Sequence, residues 1–182
     1  QKQKCIRSLH QTIQTQGYAK SILEISTSSE LELGVKTSAF NLTIQDPKLG
    51  TVFVESVYHS SKLFRGARDM SLMTMDSRAS KKRAKELLQK YGVIDGYQYN
   101  GIEFSHHPKA LCFTWIYFMG LQGLSQDDIT SLLNFDGFTD LNFRSDSKGN
   151  CQAHAMALFV SLMQNGIKDV WGISPDTLKH YF

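Results

Sequence analysis

Cysteine and proline are scarce in this chain of 182 residues, with three of each. Cys5, Cys112 and Cys151 lie far apart, are odd in number and form no CxxC pair. That pattern argues against a disulfide scaffold, fits a reducing compartment and lacks the spacing of a cysteine zinc site. Long hydrophobic runs are missing as well. The most apolar stretch, Ala110 to Leu121, carries Thr114 and Gly120 and is too short to span a bilayer. Gln1 to Gln16 is polar and basic, without an apolar signal core. The chain opens on Gln rather than Met, which leaves room for residues upstream. No internal repeat or low-complexity tract is present. No sign of charge dominates either: the formal net charge of +3 suits an anionic ligand but is too small to imply nucleic-acid binding alone.

What remains is an ordinary globular balance, 41% hydrophobic and 20% charged, which excludes disorder. The length suits one domain with one core. The expectation is a single soluble, cytoplasmic domain over residues 1–182.

Periodicity then sketches the elements. Ile6, Leu9 and Ile13 predict a first helix. Ser21 to Leu33 predicts a strand or extended entry, and Asp46-Pro47-Lys48-Leu49-Gly50 a turn. Val52 to Phe64 favours a helix, and Arg65 to Asp76 a long loop. Ser77 is the expected N-cap of a basic helix that runs to Tyr91 and stops at Gly92. Ala84, Leu87, Leu88 and Tyr91 form its buried stripe. The Asn100-Gly101 pair inside Val93 to Phe104 signals a hairpin. Lys109 to Leu121 is apolar nearly all round and predicts a central helix after Pro108. Ser125 with Asp128 suggests a capping box. Phe135 to Gly149 predicts a polar loop with scattered aromatics, Ala153 to Leu162 a helix, and Ser174-Pro175-Asp176 a last short one. The sum is an α+β domain, mainly α-helical, with a few short strands. Long loops in so compact a chain are often functional.

Three constellations could carry chemistry. Glu55, Tyr58, His59 and Lys62 stand at i, i+3, i+4 and i+7, one helix face. They make either a solvated stripe or a site holding a carboxylate and a cation. Asp136 to Phe143 followed by Gly149-Asn150-Cys151-Gln152 places polar residues and Phe138 and Phe143 before a helix start. Such a start suits a phosphate, and Asn150 also suits simple N-capping. Arg78, Lys81, Lys82, Arg83 and Lys85 form either a solvated face or a phosphate contact. His106-His107 lacks a third ligand at metal spacing, so no metal is expected.

Three segments in order resemble the NADAR family of N-glycosidases. Thr37-Ser38-Ala39-Phe40-Asn41-Leu42 resembles its "SxFNL" entry. Val54 to Lys62 is similar to its "vEhxyQxxK" helix. Phe138 to Phe143 with Gly149 to Ala153 resembles its C-terminal "FTDIEF…NCQA" block. The likeness runs from about Ser21 to Asn165 and looks nearest to the NADAR antitoxins of DarT–DarG systems. His59 departs from the family's frequent Gln, and Arg68-Asp69 matches the "GPYxDL" stretch only loosely.

The resemblance implies an N-glycosidase that removes ADP-ribose from guanine, reversing a DNA-modifying toxin, without cofactor, metal or membrane. It implies Glu55 and Asp140 as catalytic carboxylates, by analogy with two-carboxylate glycoside hydrolysis. Asn41, Tyr58, His59, Lys62, Arg68, Phe143, Asn150 and Gln152 become the binding candidates. The implied partners are an ADP-ribosylated guanine nucleotide or single-stranded DNA, and a cognate ADP-ribosyltransferase toxin. Glu55, Lys62, Asp140 and Asn150 are expected to line one pocket, with Arg65 to Asp76 over it and Arg68 reaching a phosphate. Two alternatives stand beside this: an N-glycosidase acting on a riboflavin-pathway intermediate, and a non-catalytic module that binds nucleic acid or a partner through Arg78 to Lys85.

Overall fold

The computed structural model describes residues 1–141 and 151–182. Its centre is helix α5 (Ala110–Leu121), in which Leu111, Phe113, Ile116, Tyr117, Phe118 and Leu121 are all buried. A helix apolar on every face must be enclosed on every side. Here α3 (Val54–Ser61), α7 (Gln152–Gln164) and α8 (Pro175–Lys179) enclose it. Gly120 permits the close approach of α3, since a Cβ there would sit 2.4 Å from Val54 Cγ2.

Around this centre the described residues form short sheets. Strands β1 (Ile22–Glu24) and β7 (Gly137–Thr139) pair in parallel. Strands β2 (Thr43–Asp46) and β3 (Gly50–Phe53) form a hairpin across the predicted turn, where the Asp46 carboxylate accepts from the Lys48 and Leu49 amides. Strand β4 (Lys62–Leu63) joins β5 (Gly96–Tyr99) and β6 (Ile102–Ser105) in an antiparallel sheet. Asn100 and Gly101 close the β5–β6 turn with φ of 49° and 75°, the two positive values a type I′ turn requires. Helices α1 (Lys2–Thr15), α2 (Glu32–Lys36), α4 (Ser77–Tyr91) and α6 (Gln126–Leu132) complete the mainly helical α+β domain.

Several local expectations need correction. The N-cap of α4 is Asp76, not Ser77: its carboxylate accepts from the Arg78 and Ala79 amides. Leu88 is exposed, and Ser77 and Ser80 fill the buried stripe with Ala84 and Leu87. The helix expected from Val52 is strand as far as Phe53 and strand again at Lys62. A short 3₁₀ helix (Met70–Thr74) stands inside the expected loop. The loop expected from Phe135 contains β7. The N-cap of α7 is Cys151 rather than Asn150, and Asn150 itself lies outside the described residues, as does Phe143. The capping box of Ser125 and Asp128 is present, and Ser174 caps α8.

Candidate functional site

All eight residues of α3 are buried, Glu55 and His59 at 6% exposure each. The solvated-stripe reading therefore fails for this helix. A buried charge is tolerated only when paired, and the helix supplies the pairing in sequence. The Lys62 Nζ donates to His59 Nδ1 at 2.7 Å, and His59 Nε2 lies 3.2 Å from Glu55 Oε1. A lysine donor on Nδ1 fixes the proton of neutral His59 on Nε2, so that nitrogen donates to the carboxylate. Lys62 also lies 4.5 Å from the centroid of the Tyr58 ring, which stacks on Tyr97.

The titration behaviour follows from this packing. Burial opposes ionisation of Glu55, but the His59 hydrogen bond and the positive groups around it overcome that and hold its pKa at about 2. Burial and then the Lys62 charge lower His59 to about 4. Burial lowers Lys62 to about 8, against the pull of Glu55. At neutral pH the pair is thus a carboxylate and a neutral imidazole, joined by a hydrogen bond. The cations beside the carboxylate are the lysines.

Lys81 is the second of these cations and comes from α4. Its Nζ is 3.3 Å from Glu55 Oε1 and 4.9 Å from the Phe40 ring centroid. Lys81 is exposed while Glu55 is not, so Lys81 and Phe40 form the outer edge of the carboxylate site. From sequence Lys81 belonged to a basic face with two readings, and only its neighbour across the fold singles it out.

Asp140 is tied to the same region through Gln152. The Gln152 Nε2 donates to Asp140 Oδ2 at 3.0 Å, while its Oε1 accepts from Ser38 Oγ at 3.1 Å and the Ala39 amide at 2.7 Å. The Ala39 carbonyl in turn accepts from the Glu55 amide at 3.0 Å. Tyr117, fully buried in α5, steadies this turn by donating to the Thr37 carbonyl at 2.7 Å. One unbroken series of bonds therefore runs from Asp140 to the backbone of Glu55.

Glu24, at 2% exposure, holds the other side of Asp140. It accepts from Thr139 Oγ1 at 2.6 Å and from the Leu141 amide at 2.9 Å. His10 reaches the same threonine at 2.8 Å. In sequence Glu24 sits inside Ile22-Leu23-Glu24-Ile25, with no periodicity to mark it.

The other candidates are placed less centrally. Asn41 is exposed and donates to the Val35 carbonyl. Arg68 donates to the Gln98 carbonyl at 2.6 Å and lines a cleft whose walls include neither Glu55 nor Asp140. Cys151 is half-buried and burial raises its pKa, against nucleophile chemistry. His106 and His107 pack edge to face, and no group of three or more metal-ligating side chains occurs among the described residues. No helix among them is long and apolar enough to cross a membrane.

Fold and site thus define a small, mainly helical α+β domain that buries an ionised carboxylate in a lysine–histidine relay. The sequence profile of the DarT1-associated NADAR antitoxin matches residues 1–180, and the chain belongs to that family. A search of curated proteins finds no match.

Proposed function

We propose that this antitoxin is an N-glycosidase that releases ADP-ribose from guanine and so reverses the product of a cognate ADP-ribosyltransferase toxin. The observation that carries the reading is the Glu55 carboxylate, buried yet ionised at neutral pH and backed by His59, Lys62 and Lys81. Breaking a ribosyl–base bond makes the sugar oxocarbenium-like. A fixed negative charge beside that sugar stabilises the transition state more than the ground state. The bond from the anomeric carbon to guanine breaks, the base departs with a proton on the nitrogen that carried the ribose, and water adds to that carbon and gives up a proton.

In this reading Asp140 is the second carboxylate, aimed by Gln152 and Glu24, and handles a proton of the water or of the leaving base. Phe40 offers a flat face for a base, and Lys81 stands where an anionic group of the ligand would approach. Incubation of the protein with an oligonucleotide ADP-ribosylated on guanine tests the proposal. Free ADP-ribose and restored guanine are expected, followed by chromatography and mass. An oligonucleotide that stays modified at saturating protein refutes it.

A further inference from the structure

Two lysines set the charge around the Glu55 carboxylate, and they differ in freedom. Lys62 is held: its Nζ donates to His59 Nδ1 and lies over the Tyr58 ring. Lys81 reaches in from outside. Its side chain is 59% exposed, against 9% for that of Glu55, and its Nζ lies 3.3 Å from Glu55 Oε1. The backbone behind it is fixed, since Asp76 caps α4 and Ser77 Oγ donates to the Phe40 carbonyl at 2.9 Å. The part that can move is the flexible lysine stem.

Lys81 covers both groups that the proposed reaction needs. His59 and Lys81 engage the same oxygen, Oε1, and Glu55 Oε2 takes no hydrogen bond among the described residues. An ammonium at 3.3 Å from the carboxylate opposes any positive charge that builds beside it. The same ammonium stands 4.9 Å from the centroid of the Phe40 ring, the face offered to a base. Ionisation of Glu55 does not depend on this lysine, because His59 contributes more to it than Lys81 does. What can draw the lysine away is a stronger anion. A diphosphate carries more charge than one carboxylate and accepts several hydrogen bonds from an ammonium. We propose that Lys81 is a charge gate: it covers Glu55 and Phe40 in the empty site and transfers to the ligand's diphosphate, so that only N-ribosides carrying such a group meet the bare carboxylate. The inference rests on the N-glycosidase reading and adds why an ordinary nucleoside, with the same type of bond, is spared.

The test compares Lys81→Met, which keeps the length and loses the charge, with Lys81→Arg, which keeps the charge. The side chain is exposed, so both variants are expected to fold. The substrates are ADP-ribosylated guanosine and the ribosylguanosine left after phosphodiesterase and phosphatase strip its AMP and phosphate. Lys81→Met should raise kcat/KM for ribosylguanosine about tenfold and lower it about tenfold for the ADP-ribosylated form. Lys81→Arg should keep the selectivity within about fivefold of wild type. A binding arm uses calorimetry with a hydroxylated pyrrolidine, a cationic ribose mimic, and inorganic pyrophosphate. In wild type, pyrophosphate should tighten pyrrolidine binding by about tenfold or more. In Lys81→Met the pyrrolidine alone should bind that tightly, and pyrophosphate should add little.

A Lys81→Met protein that cleaves ribosylguanosine no faster than wild type overturns the proposal and leaves Lys81 as a plain phosphate contact. So does an equal loss on both substrates, which would make the lysine part of the reacting machinery. Wild-type protein that cleaves neither compound sinks the glycosidase reading. The gate then stands if pyrophosphate tightens pyrrolidine binding in wild type and not in Lys81→Met, and falls if the two proteins respond alike.

Discussion

Gln152→Leu removes a side chain that joins Asp140 to the turn carrying Ser38 and Ala39. Leucine fills a similar volume, so the loss is polar rather than steric. The wild-type amide makes three bonds, to Asp140, Ser38 and the Ala39 amide. Ala39 is wholly buried, so its N–H would lose its partner where water does not compensate. Leaving such a group unsatisfied costs about 1–3 kcal/mol, and the carboxylate bond adds to that. The expected destabilisation is about 2–4 kcal/mol, or a fall in Tm of roughly 5–15 °C for a chain of this size. Gln152→Glu separates the roles. Its carboxylate still accepts from Ala39 but faces Asp140, so like charges should make its deficit relative to wild type smaller at pH 5 than at pH 7. Urea unfolding at both pH values measures each effect. A leucine variant within about 0.5 kcal/mol of wild type would refute the bridge as a structural element.

Acid should destabilise the folded protein in a defined window. The unfolded chain protonates His59 near its ordinary 6.5, while the folded chain keeps it neutral down to about 4. The unfolded state thus binds more protons between those values, and stability falls as pH drops from 6.5 to 4, by on the order of 3 kcal/mol. Glu55 continues the same trend as pH falls from its ordinary value toward about 2. His59→Gln should flatten the upper limb in urea titrations at pH 7, 5.5 and 4; a wild type equally stable at all three contradicts this. Lys62→Met removes the donor that sets the His59 tautomer and a cation beside Glu55. The expected single-turnover rate falls by about tenfold or more with ligand affinity less affected, and an unchanged rate would remove Lys62 from the relay. Glu24→Ala leaves the Leu141 amide without its acceptor and should cost about 2–4 kcal/mol in chemical denaturation; a neutral result would mean that the segment around Asp140 is held by other contacts.

The parts of the fold that were legible are those with local causes. Asn100-Gly101 closes its hairpin because both residues accept positive φ, and α5 is central because no face of it is polar. The capping box at Ser125 needed only two side chains three residues apart. What stayed hidden depends on distant neighbours. Strands β1 and β7 are three residues each and pair across more than a hundred positions, too short for an alternating pattern to show. The α4 cap fell one residue early because Asp76 and Ser77 are both good caps, and the Asp76 carboxylate is the one that reaches the free amides.

The candidate site divides the same way. Glu55 and His59 share a helix face and Lys62 follows just past the helix end; that spacing is visible in the chain, but their burial is not. Burial turned an ambiguous stripe into a relay. Lys81 and Glu24 could not be singled out, because one meets Glu55 from another helix and the other meets residues 139 and 141 across the sheet. Arg68 belongs to a cleft apart from Glu55, since Gln98 on β5 draws its guanidinium there.

The most direct test of the account is single-turnover hydrolysis of an oligonucleotide ADP-ribosylated on guanine by the Glu55→Gln protein, with binding measured in parallel. Glutamine keeps the length and the hydrogen-bonding reach toward His59 but deletes the negative charge. The account predicts a rate lower by roughly a hundredfold or more, with affinity for the modified strand changed by only a few-fold. Hydrolysis at the wild-type rate would contradict it and leave Glu55 as a buried structural anion.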